Sequence, residues 1–506
     1  MISFSAQPAK TSFQSYLSLG AINACAAIIA FCASAAVTHA VSPDQYGHFV
    51  IYLSLVSLGA LVFISWPNAA SMRYGREEWT REARLRRTTT SRIIIYALGF
   101  SIAALFTWIF QKPISSFIGA NNTIYLLVIA GLLCVPLSEA AIYLANAASR
   151  FLCAGYAPLA SKTIFLCGCL TIIGLGLHAS WIVIALIHLA GMAVAAGIVI
   201  ANIPPSACIP LTYNKENMLR ILRYSWIIPL GSISAYIVAW VDTLIINKLL
   251  GTTPAGVYTW AYQLIALGST AFTPIVSIFS PAMVDAKTGG DSNRYYRHAR
   301  RGIRCMFMLS VCLVAALPLV SPSMHLFGNT YRNAYSSLLI LACGIPLQFI
   351  NYWITPIGSA QDTFMPKFVG ISFIVAGVKI VGDFALIPLL GISGAAWTTI
   401  AAFATGSFGT LWMLQKYVAD AKTIAKKSLL IPSAIAPCAA YLLLALPPVK
   451  GALAVILLAA LLFAIGRSRR WFLSYQEFSP VYTLLPQALR RPLVAACRAL
   501  FPPYSN

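Results

Sequence analysis

Charge is what this chain has least of. Asp, Glu, Lys and Arg together make up 9% of its 506 residues, and only 13 residues are acidic. Soluble domains carry about 25% charged residues, so an ordinary water-facing enzyme of this length is excluded. Catalytic signatures are missing too. There is no phosphate loop ending in Gly-Lys-Ser/Thr, which removes a nucleotide-driven motor, and no His-Glu-x-x-His pair or nucleophile elbow. No connection between apolar stretches is long enough for a separate catalytic domain; the longest non-spanning piece is the tail after Gly466. The cysteines lie mostly inside apolar stretches, where a thiol packs as a small residue. Cys167 and Cys169 are two apart, hence on different helix faces, and no His joins them at ligand spacing. The expectation is a non-enzyme with no cofactor, metal or disulfide.

What abounds is apolar sequence, with 59% hydrophobic residues and a mean hydropathy of +0.79. Roughly 20 apolar residues form a helix that crosses about 30 Å of hydrocarbon. About fourteen stretches qualify, near 15–38, 48–66, 93–110, 123–145, 158–177, 181–201, 225–247, 257–280, 303–321, 336–358, 368–387, 394–414, 429–446 and 451–466. Ala33-Ser34-Ala35 looks like a secretory cleavage site, but the run from Tyr16 to Thr38 is long enough to span and is expected to stay as the first helix.

Threading the spans in order from inside sorts the positive charge. Thirty of the 35 Lys and Arg fall on one side, including the cluster from Arg73 to Arg92, Arg150 with Lys162, Arg220 with Arg223, Arg294 to Arg304, and the tail arginines. Lys112, Lys248, Arg332 and Lys450 fall on the other, and Lys379 lies inside a span. Basic connections stay in the cytoplasm, so both termini should be cytoplasmic in a multi-pass membrane protein. The net charge of +22 is then a topological signal that also meets anionic lipid, with no nucleic acid implied.

A motif recurs. Val41-Ser42-Pro43-Asp44-Gln45-Tyr46-Gly47 follows the first span, and Thr252-Thr253-Pro254-Ala255-Gly256-Val257-Tyr258 follows the seventh. Six helices return the chain to its starting side, so two six-helix halves would be parallel repeats with substrate bound between them near the midplane. The expected fold is an all-α integral membrane protein of about fourteen helices, with two pseudo-symmetric lobes around a central cavity. Its parts are an N-terminal lobe (1–212), a C-terminal lobe (213–414), a helix pair (415–466) and a basic cytoplasmic tail (467–506). Within that tail, Arg490 to Phe501 reads as a short amphipathic segment lying in the membrane interface.

Pro43-Asp44-Gln45-Tyr46-Gly47, Val241-Asp242-Thr243-Leu244-Ile245-Ile246, Gly251, Gly256-Val257-Tyr258 and Ile387-Pro388-Leu389-Leu390-Gly391-Ile392-Ser393-Gly394-Ala395-Ala396 stand in order at helix ends. Together they resemble the polysaccharide-synthesis, O-antigen type flippases of the multidrug/oligosaccharidyl-lipid/polysaccharide (MOP) exporter superfamily. The resemblance covers the first twelve helices. It implies a transporter that turns a polyprenyl-pyrophosphate-linked oligosaccharide from the cytoplasmic to the periplasmic leaflet by alternating access, coupled to a proton or sodium gradient. Polymerase and chain-length proteins of the same assembly route would be its partners, beside membrane lipids. A multidrug exporter of the same superfamily is the alternative, and a membrane polymerase or ligase is the reading from another class.

Ionisable residues placed in hydrocarbon are functional candidates by default, because they need a partner or a wet cavity. Lys379 and Asp383 are four apart on one helical face. Either they neutralise each other, or Lys379 faces the cavity and meets the pyrophosphate while Asp383 holds and releases it. Glu139 has no Lys or Arg within four residues and is the leading proton-coupling candidate. Asp242 is a second ion-coupling candidate, against the alternative of capping or pairing with Lys248. His188 reads as a helix–helix hydrogen-bond partner. Arg73, Arg223 and Arg304, at the cytoplasmic mouth, are either topology anchors or receivers of the pyrophosphate, since guanidinium grips phosphate oxygens bidentately. The mixed-sign stretch from Arg76 to Arg84 suggests a short surface helix.

Overall fold

A computed structural model describes residues 9–118, 124–177, 179–226, 228–269, 291–319, 329–359, 365–417 and 448–468, with isolated positions 283, 327, 439, 441 and 442. Among these, every regular element is helical. Seven helices are long and apolar enough to cross a membrane: Pro43–Ser65, Arg86–Ile109, Ile124–Ala147, Phe151–Gly174, Trp181–Asn202, Ile228–Leu250 and Lys367–Leu390. Cys25–Ala40 and Lys450–Ile465 are shorter apolar helical stretches. The expected thirteenth span and the amphipathic tail segment lie outside the described residues.

The chain forms two compact units, Met1–Trp260 with Leu326–Asn333, and Ala261–His325 with Ala334–Asn506. The first contains α1 (Ala9–Ala40), α2 (Pro43–Gly59), α3 (Asn68–Glu82), α4 (Arg86–Ile109), α5 (Gln111–Ile118) and α6 (Ile124–Ala147). It continues with α7 (Phe151–Gly174), α8 (Trp181–Asn202), α9 (Pro205–Cys208), α10 (Lys215–Ser225), α11 (Ile228–Leu250) and the start of α12 (Thr252–Ser269). Its helices pack through small residues. Ala141 and Ala145 of α6, Ala154 and Ala157 of α7, and Ala195 of α8 form one buried cluster, as expected where close backbone approach, not water exclusion, drives association. Within this unit α11 packs on α2.

The two copies of the recurring motif meet inside this unit. Ser42 caps α2 by accepting from the Gln45 amide at 3.4 Å, with Pro43 in the first turn. Asp44 then accepts from the hydroxyls of Thr252 and Thr253 at the start of α12. A Cβ on Gly47 would run into the Thr252 carbonyl, and one on Gly256 into the Pro43 carbonyl, so only hydrogen fits at this crossing. His48 of the same turn donates from Nδ1 to the Ile118 carbonyl at 2.5 Å and lies 3.6 Å from Asp44.

The second unit contains α13 (Ser292–Ala316), α14 (Tyr335–Ser359), α15 (Met365–Leu390), α16 (Ile392–Tyr417) and α17 (Pro448–Ser468). There α16 packs against both α14 and α15, and α13 against α14 and α17.

Two helices begin earlier than their apolar runs. The α4 helix starts at Arg86 because the Glu78 carboxylate accepts from the Arg87 and Thr88 amides, each at 2.9 Å, and from the Thr88 hydroxyl at 2.7 Å. That satisfies amide groups which otherwise lack helical partners. Arg92, expected in a connection, is therefore a full turn and more inside a helix. Lys162 is likewise eleven residues into α7, which starts at Phe151. The mixed-sign stretch is helical as expected, forming the second half of α3 up to Glu82.

Candidate functional site

A cavity of about 580 Å³ opens in the first unit between α2, α3, α6 and α11. Its shape starts from a local irregularity. Residues Ala60–Ser65 at the end of α2 wind as a π-helix, a form that recurs at functional sites because the extra residue redirects side chains. Here it brings Ser65 to donate to Glu139 of α6 at 2.7 Å. Both residues line the cavity, with Ser57, Trp66, Asn68, Tyr143, Ser232, Tyr236 and Trp240. Glu139 is the one ionisable acid or base among the lining residues, and it is half-buried. The Tyr236 hydroxyl donates back to the Ser54 carbonyl at 3.0 Å, so its ring is held as a wall. Indole and phenol faces beside hydroxyl, amide and carboxylate groups suit a polyhydroxylated ring, which presents apolar C–H faces and a rim of hydroxyls.

Arg92 stands behind this wall, 3% exposed. Its Nε and Nη2 donate to Asn68 Oδ1 at 3.1 and 2.7 Å, and Nη2 also reaches the Ile64 carbonyl at 3.0 Å. Ile64 lies in the π-turn, whose carbonyls lack regular α-helical partners, so Arg92 fixes the irregular segment from outside the cavity.

Lys162 falls inside the expected span 158–177, although its charge was counted with the cytoplasmic connections. It sits at mid-depth in the Phe151–Gly174 span, with its own surface uncovered. Protein nevertheless surrounds it at longer range, and it acts electrostatically on His188 of α8. An uncovered ammonium at this depth costs several kcal/mol if it faces lipid. The visible signal was a lone Lys between Ser161 and Thr163, inside a pattern that continues helically upstream through Ala154 and Gly155. His188 itself lies between the rings of Phe49 and Phe165, at 5.9 and 6.3 Å between centroids.

The other expected residues scatter. Asp242 is fully buried and accepts from the Tyr258 hydroxyl and the Thr243 amide, the latter at 3.0 Å; its hydroxyl partner comes from α12 and not from Lys248. Thr243 and Thr259 hydroxyls bond to each other at 2.7 Å beside it. In the second unit, Lys379 and Asp383 are both fully buried. The ammonium donates to Asp383 Oδ1 at 3.1 Å, Thr399 Oγ1 at 2.7 Å, Thr398 Oγ1 at 3.2 Å and the Ala395 carbonyl at 3.3 Å. The ammonium and the carboxylate thus sit in direct contact, with hydroxyls of α16 beside them.

Arg73 and Arg223 are exposed on α3 and α10, and Arg304 is half-buried on α13. Arg73 stacks 5.0 Å over the Tyr224 ring, and Arg220 4.6 Å over Tyr74 while pairing with Glu77 at 3.3 Å. A hydrogen bond to Tyr224 raises the Arg73 guanidinium above its already high ordinary value. These interdigitated cations and rings clamp α3 to α10.

Residues 12–287, more than half of the chain, match the family described as polysaccharide biosynthesis protein. A probable flippase of Haloferax volcanii, AglR, is 23% identical over 201 residues, which are 39% of this chain and 41% of that protein. The chain thus spans about two fifths of that relative's length. Among solved structures, an outward-facing multidrug resistance MATE family transporter of the MOP superfamily covers 82% of this chain and 96% of its own, at 13% identity and a TM-score of 0.57. An inward-facing structure covers 78% and 96% at 16% identity, again with a TM-score of 0.57. A MOP superfamily transporter from Pyrococcus furiosus, described as having a binding pocket of reverse polarity, covers 81% and 96% at 12% identity and a TM-score of 0.58. Inward and outward forms match equally, so the likeness fixes the fold and not a state.

Proposed function

The chain belongs to the polysaccharide biosynthesis protein family, and on that premise we propose that it is a flippase for a polyprenyl-pyrophosphate-linked oligosaccharide. It moves the saccharide from the cytoplasmic to the outer leaflet by alternating access between six-helix halves, 1–212 and 213–414, followed by a helix pair at 415–466. The observation that carries this reading is the cavity at Glu139, whose aromatic and hydroxyl lining suits a sugar. An uncovered cation, Lys162, at membrane mid-depth in the same unit supports it. A pyrophosphate-linked sugar needs both kinds of contact, and a lone ammonium attracts a multivalent anion without fixing one geometry.

Each group has a place in the cycle. In the first unit Arg73 and Arg223 receive the pyrophosphate, Lys162 accompanies it inward, and Trp66 and Trp240 hold the sugar; Arg304, in the second unit, is by itself a further phosphate receiver. Glu139 exchanges a proton as Ser65 releases and recaptures it. Asp242 and the Lys379–Asp383 pair hold their helices in register, each through hydroxyls of the next helix.

One observation favours a second reading. The Glu139 carboxylate is the sole charge lining the cavity, and it would also attract a cationic drug. Deletion separates the two. If the chain is the flippase, lipid-linked saccharide accumulates on the cytoplasmic leaflet, and drug sensitivity is unchanged. Normal leaflet distribution with new sensitivity to cationic drugs would establish the exporter instead. Lys162→Met should cut flipping at least tenfold at normal protein levels, with Lys162→Arg restoring part of it. Full activity in Lys162→Met would remove the anion-binding role.

A further inference from the structure

A second cavity of about 510 Å³ lies elsewhere in the first unit, between α4, α6 and α8. It is a groove on an outer face, with Ile93, Ile200 and Ile209 exposed along it. Nothing in the transport reading uses it. An apolar groove on a membrane protein would by itself mean only contact with lipid tails, but two guanidinium groups border this one.

Arg92 lines the groove and is 97% covered, because it is 3% exposed. Its Nε and Nη2 are satisfied by Asn68 and Ile64, yet its Nη1 has no hydrogen-bond partner among the described residues. Arg86 stands at the end of the groove, where its Nη2 donates to the Ser206 carbonyl at 3.4 Å, next to the lining residue Pro205. Its Nε is buried and also lacks a partner among the described residues. Buried guanidinium donors are rarely left unpaired, and an orphan usually marks a missing water, ion or ligand. Two at one apolar groove call for an amphiphile carrying oxygen acceptors.

The spacing identifies the amphiphile. Arg86 and Arg92 are six residues apart on α4, about 9 Å along the axis. Subtracting the hydrocarbon core from the full bilayer leaves an interfacial layer of about 5–8 Å per leaflet. The separation of the two arginines is comparable to the layer that holds phosphates and ester carbonyls in one leaflet, so one lipid could meet both guanidinium groups. We infer that this groove is a specific site for one anionic glycerophospholipid of the leaflet at the basic helix ends. The phosphate accepts from Arg86 Nε, an ester carbonyl accepts from Arg92 Nη1, and one acyl chain fills the groove past Tyr96. Because Arg92 also holds the π-turn at Ile64, the lipid completes the hydrogen bonding of the residue that shapes the saccharide cavity.

The test uses the full-length protein, purified in mild detergent, exposed to phosphatidylglycerol or phosphatidylcholine and weighed intact by native mass spectrometry. One phosphatidylglycerol should be retained per chain, at least tenfold more tightly than phosphatidylcholine. Arg86→Gln should weaken that retention about tenfold, and Arg86→Lys should weaken it less. Ala97→Trp fills the groove from an exposed position without touching either arginine, so it should fold normally and abolish retention. Equal retention of both lipids overturns the proposal, since the site would then read what the two lipids share and not the anionic charge. Unchanged retention in Ala97→Trp also overturns it, since the attraction would then be general surface charge.

Discussion

Replacing Lys379 by Met tests whether this intramembrane cation serves the fold or the substrate. The substitution removes an ammonium that donates to Asp383, Thr398, Thr399 and the Ala395 carbonyl, all within 3.3 Å, and keeps roughly the same side-chain length. Asp383 stays fully buried, with the Thr398 hydroxyl still donating to it. Breaking one half of a buried pair costs about 3–5 kcal/mol. Asp383→Leu should be as damaging, because it strands the ammonium. The double variant Lys379→Met, Asp383→Leu leaves no buried charge and should come within about 1 kcal/mol of the parent, as hydrophobic replacements of buried pairs do. The coupling between the two positions should then exceed about 3 kcal/mol. Half-lives of the purified protein in detergent at fixed temperature give the stability order, and leaflet assays give transport. Both singles should be unstable and inactive, with both properties recovered in the double. A Lys379→Met protein as stable as the parent, inactive and not rescued by Asp383→Leu, would show that Lys379 acts on the substrate.

Gly256→Val pushes a branched side chain into the Pro43 carbonyl, and overpacking of this kind costs about 1–3 kcal/mol; it should open the α2–α12 crossing and raise thiol labelling at an introduced Tyr46→Cys, where unchanged labelling would show that the crossing accommodates the side chain. Glu139→Gln keeps the Ser65 contact and the cavity shape but cannot exchange a proton, so flipping should persist at a low rate that no longer responds to external pH; a retained pH response would move the coupling site elsewhere. In a background without reactive native thiols, Cys at Leu177 and Asn329 should label from outside and Cys at Arg84 only after permeabilisation, and the reverse pattern would invert the topology.

The spans were legible because they depend on a one-dimensional quantity. The expected 181–201 is observed as Trp181–Asn202, and the expected 123–145 as Ile124–Ala147, since both runs are bounded by residues that end them locally. The recurring motif was legible too, but its meaning was not: the sequence placed the copies about 209 positions apart, and folding put Asp44 of one against Thr252 and Thr253 of the other. Lys379 and Asp383 could be paired from their spacing of four, whereas the hydroxyls that complete the pair come from Thr398 and Thr399 on the next helix.

The cavity was beyond sequence reasoning. Ser65 and Glu139 are 74 residues apart and meet only because a π-turn interrupts a stretch that reads as uniform apolar helix. Arg92 looked like a loop charge because hydropathy marks where apolar residues stop and not where backbone hydrogen bonding stops. Glu78 extends α4 from ten residues upstream of Thr88. Composition thus determined that this chain carries repeated helices apolar enough to cross a membrane, because transfer into lipid is a sum over local residues. Which charges are neutralised, which stand uncovered and which walls form a cavity were decided by contacts between distant helices, whose energies no local sum contains.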